Sequence, residues 1–280
     1  MKIIFITYCD TWCYESFGCR KLINSFKYFH PGIPIIWYNE KETDRIIREN
    51  PGFTLTSYTP LIMKEVKNKY NAEFVVKIDA DSLCLSRLNE ILNCDYEIAS
   101  VRNDCDYIGN RDEKHNRPKE LWTLSNSKYV SCGCVSTNSN KFLDEWVNLN
   151  RKVIEKYGGI KSFWMCDQNW MNVLFHYGGY NSKILDPLGG NLFCGASANF
   201  NSGNKYCALS VKKEYNEISY NWSSWYDIKY NDNKFWINKK QVKILHKAGG
   251  GKFENNEKLH WDLFNPEILP KLKEIVNEQF

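Results

Sequence analysis

Strand patterns that alternate with helical patterns in the first part of the chain are the feature that most constrains its fold. Continuous apolar runs predict strands buried on both faces, and apolar residues three and four apart predict helices that cover those strands. This alternation is typical of an α/β protein with a largely parallel sheet. Strands are predicted at residues 2–8, 33–38, 53–58 and 73–78, and helices after Ser16, at 40–49 and from Thr59 and Pro60.

The second part of the chain predicts a less regular structure. Strands are predicted at 96–101 and 129–136, and amphipathic helices at 140–157 and 167–177. Residues 186–238 are rich in Asn, Gly, Lys and aromatics, and predict only short strands, such as 226–230 and 235–237. A last strand, 241–245, leads to His246, and a C-terminal helix starts at Asn265 and Pro266. Without an internal repeat or a clear linker, the simplest interpretation is one domain with an irregular C-terminal half.

Composition and charge exclude several classes of protein. The 280 residues are 43% hydrophobic and 25% charged, which is typical of a globular chain and not of a disordered one. The net charge of +4 is spread without the basic stripe that nucleic-acid binding requires. No run approaches the roughly 20 apolar residues of a membrane span.

The N-terminal segment and the cysteines bear on localisation. The first apolar run reaches Asp10 without a cleavage site, so it predicts a strand and not a signal peptide. Because no export signal is present, most of the 11 cysteines are expected to be reduced. We therefore expect a soluble cytoplasmic protein, and its oligomeric state stays open.

Two aspartates, Asp79 and Asp81, come immediately after the strongest of the predicted strands, residues 73–78. Ligands of parallel sheets bind beyond the carboxyl ends of the strands. Two carboxylates at this spacing can turn toward one hard divalent cation, Mn²⁺ or Mg²⁺, which readily shares its other positions with phosphate oxygens. The alternative is a solvated turn in which Asp81 or Ser82 caps the next segment, and the pair alone leaves both interpretations open.

A second candidate motif follows the last predicted strand and runs from His246 to Lys252, with Gly249, Gly250 and Gly251 between them. Imidazole can supply a third metal ligand, and glycines let backbone N–H groups approach a phosphate that Lys252 would also attract. Taken alone, this motif is better interpreted as a glycine turn with an exposed lysine and a partly buried histidine.

Together, the two motifs resemble those of GT-A fold glycosyltransferases, in particular glycosyltransferase family 8 (the glycogenin and lipopolysaccharide-galactosyltransferase type). That family has a strand ending in D-x-D and later H-x-x-G-x-x-K, which His246, Gly249 and Lys252 match position by position. The resemblance implies a single Rossmann-like GT-A domain over 1–280, with a nucleotide-sugar-binding half (1–105) and an acceptor-binding half (106–280). It also implies that Asp79, Asp81 and His246 hold Mn²⁺ (or Mg²⁺), while Asp79, Gly249 and Lys252 serve the donor diphosphate.

Weaker parts of the resemblance add further candidate residues. The first strand and its end would hold the nucleotide through Thr7, Tyr8 and Asp10, and Lys64 would meet the donor. Asp167 and Gln168 resemble a D-Q segment that faces the reacting sugar, although Asp167 is equally well placed to cap the helix that follows it. The chain departs from the family at Cys132, where asparagine is usual, and at Phe253, where Pro-Trp is frequent.

These residues lead us to expect a metal-dependent hexosyl- or pentosyltransferase that moves a sugar from a nucleotide-sugar donor to a glycan or glycoprotein acceptor. The resemblance favours a UDP-sugar, and GDP stays open. Asp167 could stabilise positive charge at the reacting carbon in a retaining route, or take the acceptor's proton in an inverting route. Retention is favoured by the resemblance alone.

Two other functions stay open from the sequence. A sugar nucleotidyltransferase usually carries a glycine-rich basic loop after its first strand, where this chain has residues 8–12, Tyr-Cys-Asp-Thr-Trp. A non-catalytic carbohydrate-binding protein is suggested by the 15% aromatic content. Trp222, Trp225 and Tyr226 could form a platform for the acceptor, but a packed core is the better interpretation of these side chains. A binding protein of that kind would not need the aspartate pair, the histidine and the lysine after separate strands.

Overall fold

A computed structural model describes residues 1–16, 19–54, 57–102, 118–124, 128–158, 167–185, 193–196, 206–213, 217–237, 240–246 and 264–277. The first part contains β1 (Ile3–Tyr8), α1 (Thr11–Ser16), α2 (Cys19–Phe29), β2 (Ile35–Tyr38), α3 (Glu40–Glu49), α4 (Thr59–Lys69), β3 (Phe74–Ile78), β4 (Ser82–Cys84), α5 (Asn89–Leu92) and β5 (Ile98–Arg102). The middle part contains β6 (Val130–Thr137), α6 (Asn140–Tyr157), α7 (Asp167–Tyr177) and β7 (Ser182–Ile184). The last part contains β8 (Phe193–Ala196), β9 (Tyr206–Lys213), β10 (Glu217–Ser224), β11 (Lys229–Asn231), β12 (Lys234–Ile237), β13 (Lys240–Gln241), β14 (Ile244–His246) and α8 (Leu269–Val276).

A mixed sheet of six strands forms the centre of the fold, in the order β2-β1-β3-β6-β5-β7. The pairs β1–β2, β1–β3 and β5–β7 are parallel, whereas β6 runs antiparallel to both β3 and β5. The predicted α/β fold with a mostly parallel central sheet is confirmed. The antiparallel strand β6 lies directly beside β3, the strand that leads to Asp79.

Helices cover this sheet on both faces because its central strands are apolar on both sides. Every residue of β3 is buried. Val75 packs in one core with Ile62 of α4 and Phe142 of α6, while Val76 packs in a second core with Phe26 of α2. Since successive side chains of a strand point to opposite faces, a continuous apolar run is what such a sheet requires.

A second sheet, in the order β10-β9-β8-β14-β4, brings the end of the chain back to the strand that follows Asp81. Within it, β14 pairs antiparallel with β4, and His246 lies opposite Ser82. A third sheet, β11-β12-β13, packs with α8 around a smaller core that includes Phe235 and Leu272. No helix in the described ranges is long and apolar enough to cross a membrane.

Several predicted elements differ from the structure. The described residues of 53–58 form no strand: the Ser57 N–H donates to the Thr54 carbonyl 2.8 Å away, which makes a turn. Ser16 ends α1 and does not precede a single long helix. The predicted strand 241–245 is divided between β13 and β14, and two eight-residue strands, β9 and β10, occupy part of 186–238.

Candidate metal centre

The structure brings Asp79, Asp81 and His246 together at the carboxyl end of β3. The two aspartates lie in the tight turn between β3 and β4, and His246 is the last residue of β14. Pairing of β14 with β4 places the histidine beside this turn. One ligand atom from each of the three side chains lies within 4.8 Å of the other two.

The histidine lies between the two carboxylates. Its Nε2 is 3.2 Å from Asp79 Oδ2 and 3.2 Å from Asp81 Oδ1. Burial alone would lower the pKa of His246, but the carboxylates of Asp81 and Asp79 raise it to about 10. Two carboxylate oxygens and one imidazole nitrogen facing a common point are a donor set that suits Mn²⁺ or Mg²⁺.

A buried lysine holds the other oxygen of Asp79. Lys77 is 3% exposed; its ammonium forms an ion pair with Asp79 Oδ1 and donates to the Cys132 carbonyl at 2.8 Å. Burial would raise the pKa of Asp79, but Lys77 and His246 hold it well below its usual range. The two oxygens of Asp79 therefore have separate partners, with Oδ1 on Lys77 and Oδ2 facing His246.

Tyr8 and Thr59 close this group on the side of β1. The Lys77 ammonium lies 5.3 Å from the centre of the Tyr8 ring, a distance suited to a cation–π contact. The Tyr8 hydroxyl is 2.7 Å from Thr59 Oγ1. Thr59 is the first residue of α4, which begins where the sequence predicted, and its side chain makes no capping hydrogen bond. Its hydroxyl contacts the Tyr8 hydroxyl instead.

Asp167 is a buried carboxyl group on the same side. It is the first residue of α7 and 6% exposed, and its Oδ2 has no hydrogen-bond partner in the described part of the chain. Burial raises its pKa to about 7, a rise that Lys77 and the Thr59 hydroxyl limit and Asp79 increases. A carboxyl group with this pKa can exchange a proton near neutral pH.

Gln168 and Asn172 attach α7 to β6. Gln168 Oε1 accepts a hydrogen bond from the Cys132 N–H at 2.8 Å, and its buried Nε2 has no partner among the described residues. Asn172 pairs with both the N–H and the carbonyl of Val130 at 2.8 Å. In turn, the Gly133 carbonyl accepts from the Asp79 N–H at 2.9 Å. This part of β6 therefore links the first turn of α7 to the metal ligands.

The other predicted site residues lie as follows. Thr7 is fully buried, and no described residue bonds its Oγ1, whereas Asp10 is exposed and its carbonyl accepts from the Tyr14 N–H. Lys64 forms a half-exposed ion pair with Asp144, and no contact with Asp79, Asp81 or His246 is seen in the described ranges.

Gly249 and Lys252 lie outside the described residues, as do the side chains of Trp222 and Trp225, while Tyr226 is exposed.

Lys77 and Thr59 were not predicted from the sequence to lie beside this group of residues. One signal was available for the lysine: a charged residue inside an apolar strand, two residues before Asp79. Since residues two apart in a strand lie on the same face, Lys77 and Asp79 were candidates for an ion pair. Thr59 carried no signal, because its contact with Tyr8 joins separate elements of the fold.

Comparison with solved structures identifies the fold. No protein-family model and no curated protein sequence matches the chain. An active-site variant of LgtC superposes with a TM-score of 0.50 at 13% identity, over 99% of this chain and 95% of LgtC. The bifunctional glycosyltransferase WbbM superposes with a TM-score of 0.51 at 17% identity, over 99% of this chain and 51% of WbbM. A structure of the galactosyltransferase LgtC with donor and acceptor sugar analogues superposes with a TM-score of 0.49 at 12% identity, over 99% of this chain and 95% of LgtC. The chain has the GT-A fold, as its sequence predicted.

Proposed function

We propose that this GT-A chain is a metal-dependent glycosyltransferase, which takes a sugar from a UDP-sugar and attaches it to a hydroxyl group of a glycan or glycoprotein. The observation that carries the proposal is the convergence of Asp79, Asp81 and His246, whose ligand atoms lie within 4.8 Å of one another at the carboxyl end of β3. In α/β sheets this edge is where ligands bind. A solvated turn would need neither a buried histidine nor a buried lysine beside the aspartates.

In this proposal Asp79, Asp81 and His246 hold Mn²⁺ or Mg²⁺. When bound, the ion supplies positive charge to the diphosphate as it leaves the sugar. His246 must give up its proton to bind as a ligand, whereas Lys77 keeps Asp79 ionised and oriented. Thr7, Tyr8 and Asp10 would hold the nucleotide, and Gly249 and Lys252 the diphosphate, with Lys64 as a further candidate.

Asp167 and Gln168 are the proposed catalytic residues. As an anion, Asp167 would stabilise positive charge at the reacting carbon, and its pKa of about 7 also suits removal of the acceptor's proton. Gln168 has a buried amide N–H that points to no described partner and can donate to a sugar hydroxyl. We retain 1–105 as the donor half and 106–280 as the acceptor half. Six described cysteines are free thiols, which supports a cytoplasmic setting.

The test is calorimetric titration of UDP, and separately of GDP, into the protein with Mn²⁺ and then with EDTA. Asp81→Ala removes a ligand, and Asp95→Ala is the matched control, because Asp95 lies on the surface and pairs with Lys183. We expect wild type and the control to bind UDP with Mn²⁺ only, and Asp81→Ala to lose at least about ten-fold in affinity.

Each result bears on a different part of the proposal. Equal UDP binding by Asp81→Ala and wild type would show the metal assignment to be wrong. Absence of binding for both nucleotides with Mn²⁺ present would favour a carbohydrate-binding protein. If UDP binds as expected, hydrolysis or transfer from a panel of UDP-sugars then identifies the donor sugar.

A further inference from the structure

Arg102, the last residue of β5, is a buried cation that the metal centre does not use. Its side chain is 2% exposed, and no described residue accepts a hydrogen bond from its Nε or Nη2. A guanidinium stays charged at any pH at which proteins fold. Leaving a buried charge unpaired is strongly unfavourable, so the position calls for an anion.

The sheet register places Arg102 on the same edge as the metal centre. Lys77 of β3 and Ser100 of β5 lie opposite the same residue of β6, Val135. Two strand spacings, about 10 Å, separate β3 from β5 at that level. Because β3 and β5 run in the same direction, Asp79 and Arg102 each lie two residues further along, and the register of β5 with β6 shifts between Ser100 and Val101.

The side chain of Arg102 faces the helix that carries Asp167. Arg102 lies opposite Val130, which belongs to the core formed with α4, α6 and α7, whereas Val101 belongs to the core on the other face. Residues directly opposite in an antiparallel pair share a face. Asn172 of α7 binds the backbone of that same Val130. Arg102 and the first turns of α7 therefore lie on one side of β6.

We propose that Arg102 binds an anionic group, a carboxylate or a phosphate, on the acceptor substrate; this inference rests on the proposed function. The order of strands assigns the group to the acceptor. Of the proposed donor-site residues, Thr7 and Tyr8 are on β1 and Asp79 and Asp81 follow β3, while β5 lies on the opposite side of β3, beyond β6. A donor bound at β1 and β3 leaves the β5 end of the edge to the acceptor, so in space the acceptor side includes Arg102, although this residue precedes 106 in the sequence. The planar guanidinium binds carboxylate and phosphate oxygens in pairs.

The competing explanation is an internal ion pair with a carboxylate of the chain, such as Asp104 or Asp106, which follow closely in the sequence. The two explanations predict opposite effects on stability. Replacing an unpaired buried charge by an apolar side chain is neutral or stabilising, whereas removing one partner of a buried pair leaves the other uncompensated. The melting temperature of ligand-free Arg102→Met should therefore equal or exceed that of wild type.

The control variant is Lys67→Met, which removes a buried cation near the opposite edge of the sheet. The Lys67 ammonium donates to the carbonyls of Ala72 and Glu73 at 2.9 Å, so its loss should lower the melting temperature. A clear drop for Arg102→Met like that of the control would assign Arg102 to an internal pair and overturn the proposal.

Binding is measured on the UDP- and Mn²⁺-loaded protein with three probes: methyl glucuronide, glucose 6-phosphate and methyl glucoside. We expect wild type to bind one acidic probe at least about ten-fold more tightly than the neutral one, and Arg102→Met to lose that preference while Arg102→Lys keeps part of it. The two acidic probes distinguish a carboxylate from a phosphate. Equal binding of all three by wild type, or an unchanged preference in Arg102→Met, would overturn the proposal.

A UDP titration distinguishes failure of this inference from failure of the proposed function. UDP titration with Mn²⁺ on the same samples reports the donor site and shows that each variant is folded. If wild type does not bind UDP in the presence of Mn²⁺, the proposed function is wrong. If wild type binds UDP but shows no preference for acidic probes, only the role of Arg102 is wrong.

Discussion

Asp79, Asp81 and His246 form a network of ion pairs at the candidate metal centre. Asp79 lies between Lys77 and His246, and Asp81 contacts the same histidine. Asp167 differs, because it is buried and its pKa is raised to about 7. At neutral pH its carboxyl group is divided between the neutral and the ionised form, and this is the property that suits it to handle a proton.

Asp167→Asn should therefore make the metal-free protein more stable, in a way that depends on pH. A carboxyl group whose pKa is higher in the folded state contributes stability that is lost as pH rises from about 4 to about 7. The advantage of the variant should be near zero at pH 4 and reach on the order of a few kcal/mol at pH 8, measured by urea unfolding.

The control for this prediction is Asp95→Asn, because the ion pair with Lys183 holds the pKa of Asp95 below its usual value. That variant should show no growing advantage between pH 4 and pH 8. An advantage of Asp167→Asn that is the same at both pH values would contradict the assigned pKa. The rate of sugar transfer by Asp167→Asn should be about 100-fold or more below that of wild type.

That Asp79, Asp81 and His246 come together could be predicted from the sequence, whereas the residues that orient them could not. Asp79 and His246 each directly follow an apolar run and Asp81 comes two residues after Asp79, so their place at a strand end could be read from the chain. The partners of Lys77 could not, because its hydrogen bond to the Cys132 carbonyl depends on β6 lying beside β3. That pairing joins strands far apart in the sequence, and no local pattern specifies it.

Helix α7 is joined to β6 through side-chain amides. Gln168 binds the backbone of Cys132, Asn172 binds that of Val130, and Asn169 accepts from the Tyr129 hydroxyl at 2.9 Å. Amide side chains replace the hydrogen bonds that a neighbouring strand would otherwise provide. The same contacts fix the first turn of α7, and with it Asp167, relative to the turn that carries Asp79.

Asn172→Leu should destabilise the protein by about 3 kcal/mol, because it leaves the N–H and the carbonyl of Val130 unsatisfied inside the protein. Asn68→Leu is the matched control: Asn68 is an exposed residue of α4, and its replacement should change stability by less than about 0.5 kcal/mol. Urea unfolding measures both. Equal losses in the two variants would contradict the role given to Asn172.

The predicted secondary-structure elements are most accurate where several local sequence signals agree. Residues 40–49, 140–157 and 167–177 are helices with the predicted bounds, because apolar spacing and end signals agree there. Residues 53–58 have an apolar pattern but no strand. Phe53 and Tyr58 are each 3% exposed, so this turn buries its apolar side chains as a strand would. Burial and secondary structure are separate properties, and the pattern reports burial.

At the scale of the whole molecule, the candidate site joins two sheets. Asp79 and Asp81 leave the six-stranded sheet, and His246 ends a strand of the five-stranded sheet. The turn between β3 and β4 connects the two sheets, and the pairing of β14 with β4 holds His246 beside that turn. The family resemblance predicted that His246 lies beside the two aspartates. Neither the five-stranded sheet nor its β9–β10 hairpin was predicted from the sequence.

A metal ion bound across this connection should stabilise the entire fold. With Mn²⁺ at about 100 times its dissociation constant, the free energy of unfolding should rise by about 2.7 kcal/mol. We expect this rise in wild type and Asp95→Ala, its absence in Asp81→Ala, and its reversal by EDTA, all measured by thermal or urea unfolding. A similar rise in Asp81→Ala would place the ion elsewhere.

The pairing of β14 with β4 also has a consequence for synthesis of the protein. Asp79 and Asp81 are synthesised well before their third partner, His246, which is the last residue of β14. A nascent polypeptide that lacks β14 carries the two carboxylates without the imidazole that faces them. Under the proposed function, the metal ion therefore binds only after β14 has been synthesised.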